Sequence, residues 1–441
     1  MSSDIREYDL MIIGAGLAGS AAALFAARRG LSAVLAGGTG AIAYTSGYFD
    51  VLGAIPPRDQ KGGIRLPENP FLDFERLLAD YPGHPYRLTP PDMVKAALAE
   101  WIGFLAGQGL PYMAEAETNV VAVSPAGTLK HTHAVPETMQ PFSGLLKEQA
   151  GCLLVDFHGL NGFSARQVAA NLEPLWPGMR AERICFPSHA GGEVFSENAA
   201  RSLEVPRHRE ALAEAVRPLL GDAVCLGLPA LLGVNRSQAV RSDIEERLGV
   251  TVFEIPAMPP AVPGIRLREA VENGLPESGV DLYSQQMVRL EKMEDSGLEF
   301  TIHGQPVERR VRCRGAILAS GRFLGGGLSC TRTEIRETVF DLPVVQPKDR
   351  SAWHRADYFD PRGHPVHQSG IEVDERFRPL GGGGKPACPT LFAAGSILAH
   401  QDWMRMKCGA GVALATALGA VEAFIAELGS ATGGRATGPN G

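Results

Sequence analysis

Apolar residues along this chain arrive as short unbroken runs and then as spaced stripes, an alternation that predicts strands and helices in turn. Leu10-Met11-Ile12-Ile13 has no polar interruption and reads as a strand buried on both faces. The alanine-rich stretch Ser20–Arg29 then reads as a helix ended by Gly30, and Leu31–Ala36 as the next strand. Prolines and glycines crowd the segment from Pro56 to Pro91, which predicts surface loop with one short helix over Phe71–Asp80. Val94, Leu98, Trp101, Ile102 and Leu105 share one side of a helix expected over Met93–Gly107.

A second α/β region follows. Leu153–Phe157 reads as a buried strand and Ser164–Leu172 as its helix; further helices are expected at Arg209–Leu219 and Arg236–Leu248, and a strand at Thr251–Ile255. From Val262 a helix leads into strands at Asp281–Leu290, Leu298–Ile302 and Val307–Cys313. Two later segments, Gly315 to Gly321 and Thr390 to Ser396, each carry an apolar strand into a glycine turn, and a glycine-opened helix begins after Cys408. The tail 431–441, rich in Gly, Ala and Thr, is expected to be disordered.

Composition narrows the class. With 441 residues, 45% hydrophobic and 21% charged, the chain can bury a large core and is expected to hold two domains, one inserted in the other. A net charge of −7 leaves no basic footprint for nucleic acid. Leu10–Ala27 carries no charge, yet Asp4, Glu7 and Asp9 precede it and glycines interrupt it, so it is read as neither signal peptide nor membrane span. Cys408–Val421 is read as too short to span, which leaves membrane attachment to a partner. The seven cysteines are scattered without a C-x-x-C, so no metal or iron–sulfur ligand set is expected, and the pattern suits a reducing cytosol.

The chemistry is carried by Gly14-Ala15-Gly16-Leu17-Ala18-Gly19, a G-x-G-x-x-G set between strand and helix. The first glycine permits the tight turn, the second lets backbone approach a phosphate, and the third lets helix and strand pack closely. The acidic residue that would bind an adenosine ribose at the end of the second strand is replaced by Ala36-Gly37-Gly38, which disfavours ordinary NAD binding and remains compatible with a flavin. Thr45-Ser46-Gly47, Ser320-Gly321 and Gly395-Ser396 are further small-residue turns expected beside the cofactor. The helix opened by Gly409-Ala410-Gly411-Val412 would aim its positive end at negative charge growing on a flavin edge.

In this order, the motifs resemble the two-domain flavoprotein oxidoreductases related to fumarate reductase, and more closely the B subunit of bacterial anaerobic glycerol-3-phosphate dehydrogenases. The resemblance rests on residues 13–19, Thr45-Ser46-Gly47 with Asp50-Val51-Leu52, Pro259 to Leu267, Ala319 to Phe323 with Gly326-Gly327-Leu328, and Cys408 to Val412. It implies an α/β fold: a Rossmann-like FAD/NAD(P)-binding domain of glutathione-reductase type with a parallel sheet, from 1–60, 260–345 and 370–430, with an inserted α+β cap or substrate domain at 61–259. It also implies a flavin, FMN by family habit with FAD the alternative. The implied reaction is oxidation of sn-glycerol 3-phosphate to dihydroxyacetone phosphate, with a flavin-bearing A subunit and a membrane-associated iron–sulfur C subunit passing electrons to quinone. The implied location is cytoplasmic, at the inner face of the membrane through those partners. Ser396 departs from the acidic residue of related FAD enzymes.

Such a reaction needs a base for the hydroxyl proton and a cation for the phosphate. His364, His367 and His400 are the candidate bases and Arg322 the candidate cation, with Arg332 and Arg405 similarly placed. Two other readings stay open: a flavin-binding relay or scaffold protein without catalysis of its own, and a flavin dehydrogenase or reductase of another hydroxy- or keto-substrate.

Overall fold

A computed structural model describes residues 5–187, 191–294, 297–304 and 308–433. Strand β1 (Arg6–Ile13) runs into helix α1 (Leu17–Arg28), which returns the chain to β2 (Ala33–Gly37), parallel to β1 with Ile13 opposite Ala36. These strands form the middle of a seven-stranded sheet. Asp281–Ser284 extends it beyond β2, and Arg309–Leu318 lies on the other side of β1; both are parallel to their neighbours. Leu391–Ala393 joins the carboxyl half of Arg309–Leu318 in parallel, while Gly297–His303 and Met287–Glu294 continue from its amino half as an antiparallel meander. The single strand expected over Asp281–Leu290 is therefore two. Gln285 adopts a positive φ of 59°, which turns the chain out of the parallel edge strand before Met287 begins the meander.

The apolar run in β1 is unbroken because the sheet is covered on both faces. Leu10 and Ile12 join Leu35, Ile317 and Phe392 beneath α1, the helix Pro91–Gly107 and the C-terminal helix Gly409–Gly433. Met11 and Ile13 point to the opposite core with Val34, Ala316, Leu318 and Leu391, closed over by the meander and the loops between residues 328 and 398. The C-terminal helix corrects the expectation about its length. It runs 25 residues, and its stretch Gly409–Gly429 is long and apolar enough to cross a membrane, yet 72% of its most apolar window is buried inside the fold. It is a core helix, with Leu414, Leu418, Val421 and Phe424 packed against α1 and the sheet. The backbone stays helical into the first residues of the tail expected to be disordered, and 434–441 lies outside the described residues.

A second, four-stranded parallel sheet is ordered Thr251–Ile255, Cys225–Pro229, Cys152–Phe157, Arg180–Ile184, and has its own core around Phe142, Trp176 and Phe253. The helix Val262–Glu277 ties the two layers together: Val262 and Ile265 enter the second core, and Leu267, Val271 and Leu275 the first. One buried ion pair reinforces that tie. Arg266 donates to both carboxylate oxygens of Glu254 at 2.6 and 2.8 Å, with both side chains excluded from solvent. Glu254 also accepts from Thr138 Oγ1 and the Leu232 N–H, and Arg266 Nε donates to the Gly233 carbonyl. Burial alone would push the Glu254 carboxyl upward, but Arg266 and these donors hold it below its ordinary value.

Candidate functional site

The parallel strands all end on one edge of the large sheet. Ile13 lies opposite Leu318, Gly37 opposite Ser284, and Leu318 opposite Ala393, so the turns that follow are neighbours. The order 281-33-6-309-391 makes the chain depart in opposite directions from β1, and a crevice outside the carboxyl ends at such a reversal is where α/β sheets take ligands.

Each glycine of the first turn has a separate task. Gly14, at φ +104°, has room for no side chain, because a Cβ there would stand 2.5 Å from the Ala319 carbonyl oxygen and 2.8 Å from Ser320 Cα. At Gly19 a Cβ would fall 1.8 Å from the Gly14 carbonyl oxygen, so its absence sets the contact between helix and turn. Above Gly16 the space is open: the nearest atom to a Cβ would be the Thr39 carbonyl oxygen at 3.9 Å. Gly16 caps α1 without a side-chain hydrogen bond, and the first bond of the helix runs from Ser20 N–H to Gly16 O, which leaves first-turn N–H groups free for an anion.

The other glycine turns meet this one. Ala319 N–H donates to Ile13 O, and Ala394 N–H to Leu318 O. A Cβ on Gly395 would stand 2.5 Å from Ala18 Cβ, and Gly395 N–H donates to Thr416 Oγ1 at 2.9 Å, inside the C-terminal helix. The half-buried Ser396 lies beside Gly321. Ser320 Oγ is buried without a hydrogen-bond partner among the described residues. Gly47 lies against the start of helix Val262–Glu277, where a Cβ would press on Pro263, and its N–H donates to Thr45 Oγ1 at 3.2 Å.

At the C-terminal helix the free donors are fewer than the motif suggested. Gly411 N–H donates to Asp50 O at 2.8 Å and Val412 N–H to Cys408 O, so Gly409 and Ala410 remain to face an anion. Gly411 serves packing: a Cβ would collide with the hydroxyl of Tyr86, which is itself bonded to Val51 O.

The four residues expected to do chemistry divide evenly. Arg322 is spent on the main chain: Nε donates to Ser396 O at 2.6 Å, Nη2 to Leu398 O and Gln401 O, and Nη1 to His367 O. Burial pushes its guanidinium down to about 10. It is a clamp across the loops above the sheet edge, and a phosphate would find four of its five N–H groups taken. His364 is likewise engaged, with Nδ1 accepting from Arg355 N–H and Nε2 facing Tyr358 O. His367 and His400 each face a carboxylate and keep one ring nitrogen free of partners among the described residues. His367 Nδ1 lies 3.3 Å from the buried Asp402, and His400 Nε2 is bonded to Glu372. The hydrogen bond from His400 holds the Glu372 carboxyl below its ordinary value. Arg405 lies 3.8 Å from Asp402, and Arg332 is exposed on the surface.

Sequence reasoning missed several polar groups here. Lys130 bonds Asp50 at 2.8 Å, and Lys407, at φ +49°, packs its stem where a Gly53 Cβ would be. Burial, and after it the adjacent Lys130, lower the Lys407 ammonium from its ordinary value. Its nearest signal was its place just before the glycine-opened helix. Thr416 and Gln285 left no sequence signal, because each acts through a partner far along the chain.

The profile of the FAD binding domain family matches residues 9–412. The chain belongs to that family. It is 29% identical over 431 residues to the B subunit of anaerobic glycerol-3-phosphate dehydrogenase of Vibrio vulnificus, spanning 94% of this chain and 96% of the relative. It is 30% identical over 427 residues to the probable B subunit of the same enzyme in Halobacterium salinarum, spanning 93% and 96%. Among solved structures, 3-ketosteroid Δ1-dehydrogenase of Sterolibacterium denitrificans is similar at 12% identity and a TM-score of 0.44 over 96% of this chain and 100% of that one, a likeness too distant to inform the substrate. The residues present fit a flavin. The open space over Gly16, the free N–H groups behind it and the unpartnered Ser320 hydroxyl are what a phosphate-linked ring would use.

Proposed function

We propose that this chain is a flavin-dependent oxidoreductase acting on sn-glycerol 3-phosphate, as the B subunit of an anaerobic respiratory dehydrogenase that also holds a flavin-bearing A subunit and an iron–sulfur C subunit. In this reading it works at the inner face of the membrane through those partners, and electrons leave through them to quinone. The observation that carries it is the meeting of three glycine turns at one sheet edge, with two carboxylate-backed histidines on the loops that Arg322 clamps there. Relatives so named along nearly the whole chain support the choice of substrate.

A bound flavin supplies the acceptor for hydride from C2 of the substrate. The chain's own residues do the rest. The α1 N-terminus holds the flavin's phosphate, and the Gly409–Ala410 end of the C-terminal helix favours negative charge. His367 or His400, each oriented by its carboxylate, takes the hydroxyl proton at its free ring nitrogen. Lys407, rather than Arg322, holds the substrate phosphate, since the Arg322 donors are spent on carbonyls. Residues 61–259, with the second sheet, serve as the cap.

A second reading has an observation in its favour. Two of the four residues expected to act on substrate, Arg322 and His364, are bound to main chain, which suits a relay or scaffold protein. Dye-linked glycerol 3-phosphate oxidation by the purified chain, alone and with its partners, separates them. Activity of the chain alone supports the enzyme; activity only in the complex supports the relay; flavin bleaching by another hydroxy acid or a ketone, and not by glycerol 3-phosphate, overturns the substrate.

A further inference from the structure

Residues 50–53 run alongside the residues that open the C-terminal helix. Asp50 O accepts from Gly411 N–H at 2.8 Å, and Gly53 N–H donates to Lys407 O at 2.9 Å. The strand Leu129–Thr132, in the segment read as the cap, closes on them from the other side: a Cβ on Gly53 would collide both with the His131 carbonyl oxygen and with Lys407 Cβ. That approach brings Lys130 Nζ to Asp50 Oδ2 at 2.8 Å, in a pair mostly shut from solvent, with 22% of the lysine side chain and 17% of the aspartate exposed. The other carboxylate oxygen, Asp50 Oδ1, is buried and has no hydrogen-bond partner among the described residues. A buried acceptor left in that condition costs free energy that a ligand's donor would recover. Lys130 already balances the charge of Asp50, so the donor that suits Oδ1 is neutral, as a hydroxyl is. Burial lowers the Lys407 ammonium and the nearby Asp50 opposes that, so the two groups face one space.

We propose that Asp50 is a specificity-determining residue of the substrate site, its Oδ1 accepting a hydrogen bond from the substrate hydroxyl that is not oxidised, and that Lys130 is the positioning residue that fixes the carboxylate for it. This rests on the reading above in which Lys407 holds the substrate phosphate. The site then reads both ends of a hydroxyalkyl phosphate, with Lys407 at the phosphate and Asp50 at the far hydroxyl, and the carbon to be oxidised lies between them. A substrate without the far hydroxyl would leave Oδ1 unpaired, and a buried polar group left unpaired is what lets a site reject the analogue that lacks its partner. Lys130 comes from the cap segment, whereas Asp50 and Lys407 belong to the layer of the large sheet, so the hydroxyl contact is complete only where the two layers meet.

The test compares glycerol 3-phosphate with 2-hydroxypropyl phosphate, which keeps the phosphate and the oxidisable hydroxyl and lacks the terminal one, in the complete flavin-loaded complex. Asp50→Asn should lower kcat/KM for glycerol 3-phosphate about tenfold more than for 2-hydroxypropyl phosphate, the worth of a charge-assisted hydrogen bond of ~1.5 kcal/mol, with the flavin Kd at its wild-type value. Lys130→Met should move the same ratio in the same direction by a smaller factor, mainly through KM, whereas a merely structural role for Lys130 would lower both substrates alike. An equal fall for both substrates, an unchanged ratio in either variant, or a raised flavin Kd in Asp50→Asn, which would give Oδ1 to the flavin, would overturn the proposal while leaving Lys407 at the phosphate. Oxidation of neither phosphate by the wild-type complex would overturn the substrate reading itself, and the proposal with it.

Discussion

Gly16 and Gly19 are three residues apart in one motif, and the structure gives their side-chain positions opposite fates. A Cβ at Gly19 would overlap the Gly14 carbonyl oxygen at 1.8 Å, and that atom is main chain, with no rotamer to escape into. Gly19→Ala must therefore push α1 away from β1. Overpacking of this kind costs about 1–3 kcal/mol, and the rigidity of the contact places it at about 3. Gly16 has φ −75° and an extended ψ, which any residue adopts, and its Cβ would meet nothing closer than 3.9 Å. Gly16→Val should cost the fold about 1 kcal/mol, the preference of a helix cap for glycine over a β-branched residue. Its side chain would fill the approach to the α1 N-terminus. Losing one charge-assisted bond from N–H to phosphate is worth about 1.5–3 kcal/mol, or roughly a 10- to 150-fold rise in flavin Kd. The measurements are denaturant midpoints of the flavin-free proteins and flavin titrations of the same samples. The reasoning fails if Gly16→Val keeps wild-type flavin affinity, or if it lowers the stability of the flavin-free protein as much as Gly19→Ala does.

Other outcomes follow from the same geometry. Arg266→Met strands the Glu254 carboxylate in the core and should cost about 3–5 kcal/mol at neutral pH in chemical denaturation. Because Arg266 holds the folded Glu254 below its ordinary value, the pair's contribution is present above the unfolded carboxyl's range and lost as pH falls through the folded value; in the variant, burial instead raises Glu254. The stability gap between the two proteins should thus widen with rising pH, and a gap independent of pH would refute this account. His367→Asn or His400→Asn, whichever removes the base, should lower kcat/KM for glycerol 3-phosphate in the complete complex by about 10²–10⁴ and abolish the acid limb of its pH profile. Retention of that limb in both variants would exclude both residues. Lys407→Ala should raise KM for glycerol 3-phosphate by about tenfold or more with kcat kept, while leaving glycerol oxidation unaffected; an unchanged KM would remove Lys407 from the phosphate site.

The amino-terminal strand and helix were legible because two independent signals coincide there: an apolar run without polar breaks, and glycines at a spacing that only a strand-to-helix turn requires. Helices with a one-sided stripe, such as Pro91–Gly107, were legible for the same kind of reason. The split at Gln285 was not, because nothing in its side chain announces a positive φ; the turn is imposed by pairing Ser284 with Gly37, far away in sequence. The main-chain partners of Arg322 were not legible for a related reason. An arginine after a flavin-edge strand is equally suited to a phosphate or to carbonyls, and the carbonyls of 367, 396, 398 and 401 converge on it only once the chain is folded. The length of the C-terminal helix was underestimated because Glu422 ends the uncharged stretch but not the helix, where it reaches solvent.

The contact between Gly411 and Tyr86 binds the fates of two positions separated by most of the chain. Since the phenol fills the space that a methyl at 411 would need, a larger residue at 411 is admissible only with a smaller one at 86. Losing the hydroxyl would then also release the Val51 carbonyl. In proteins of this build, alanine at the helix start should accordingly travel with loss of the ring, and glycine patterns taken alone would make that paired exchange look like loss of a cofactor site.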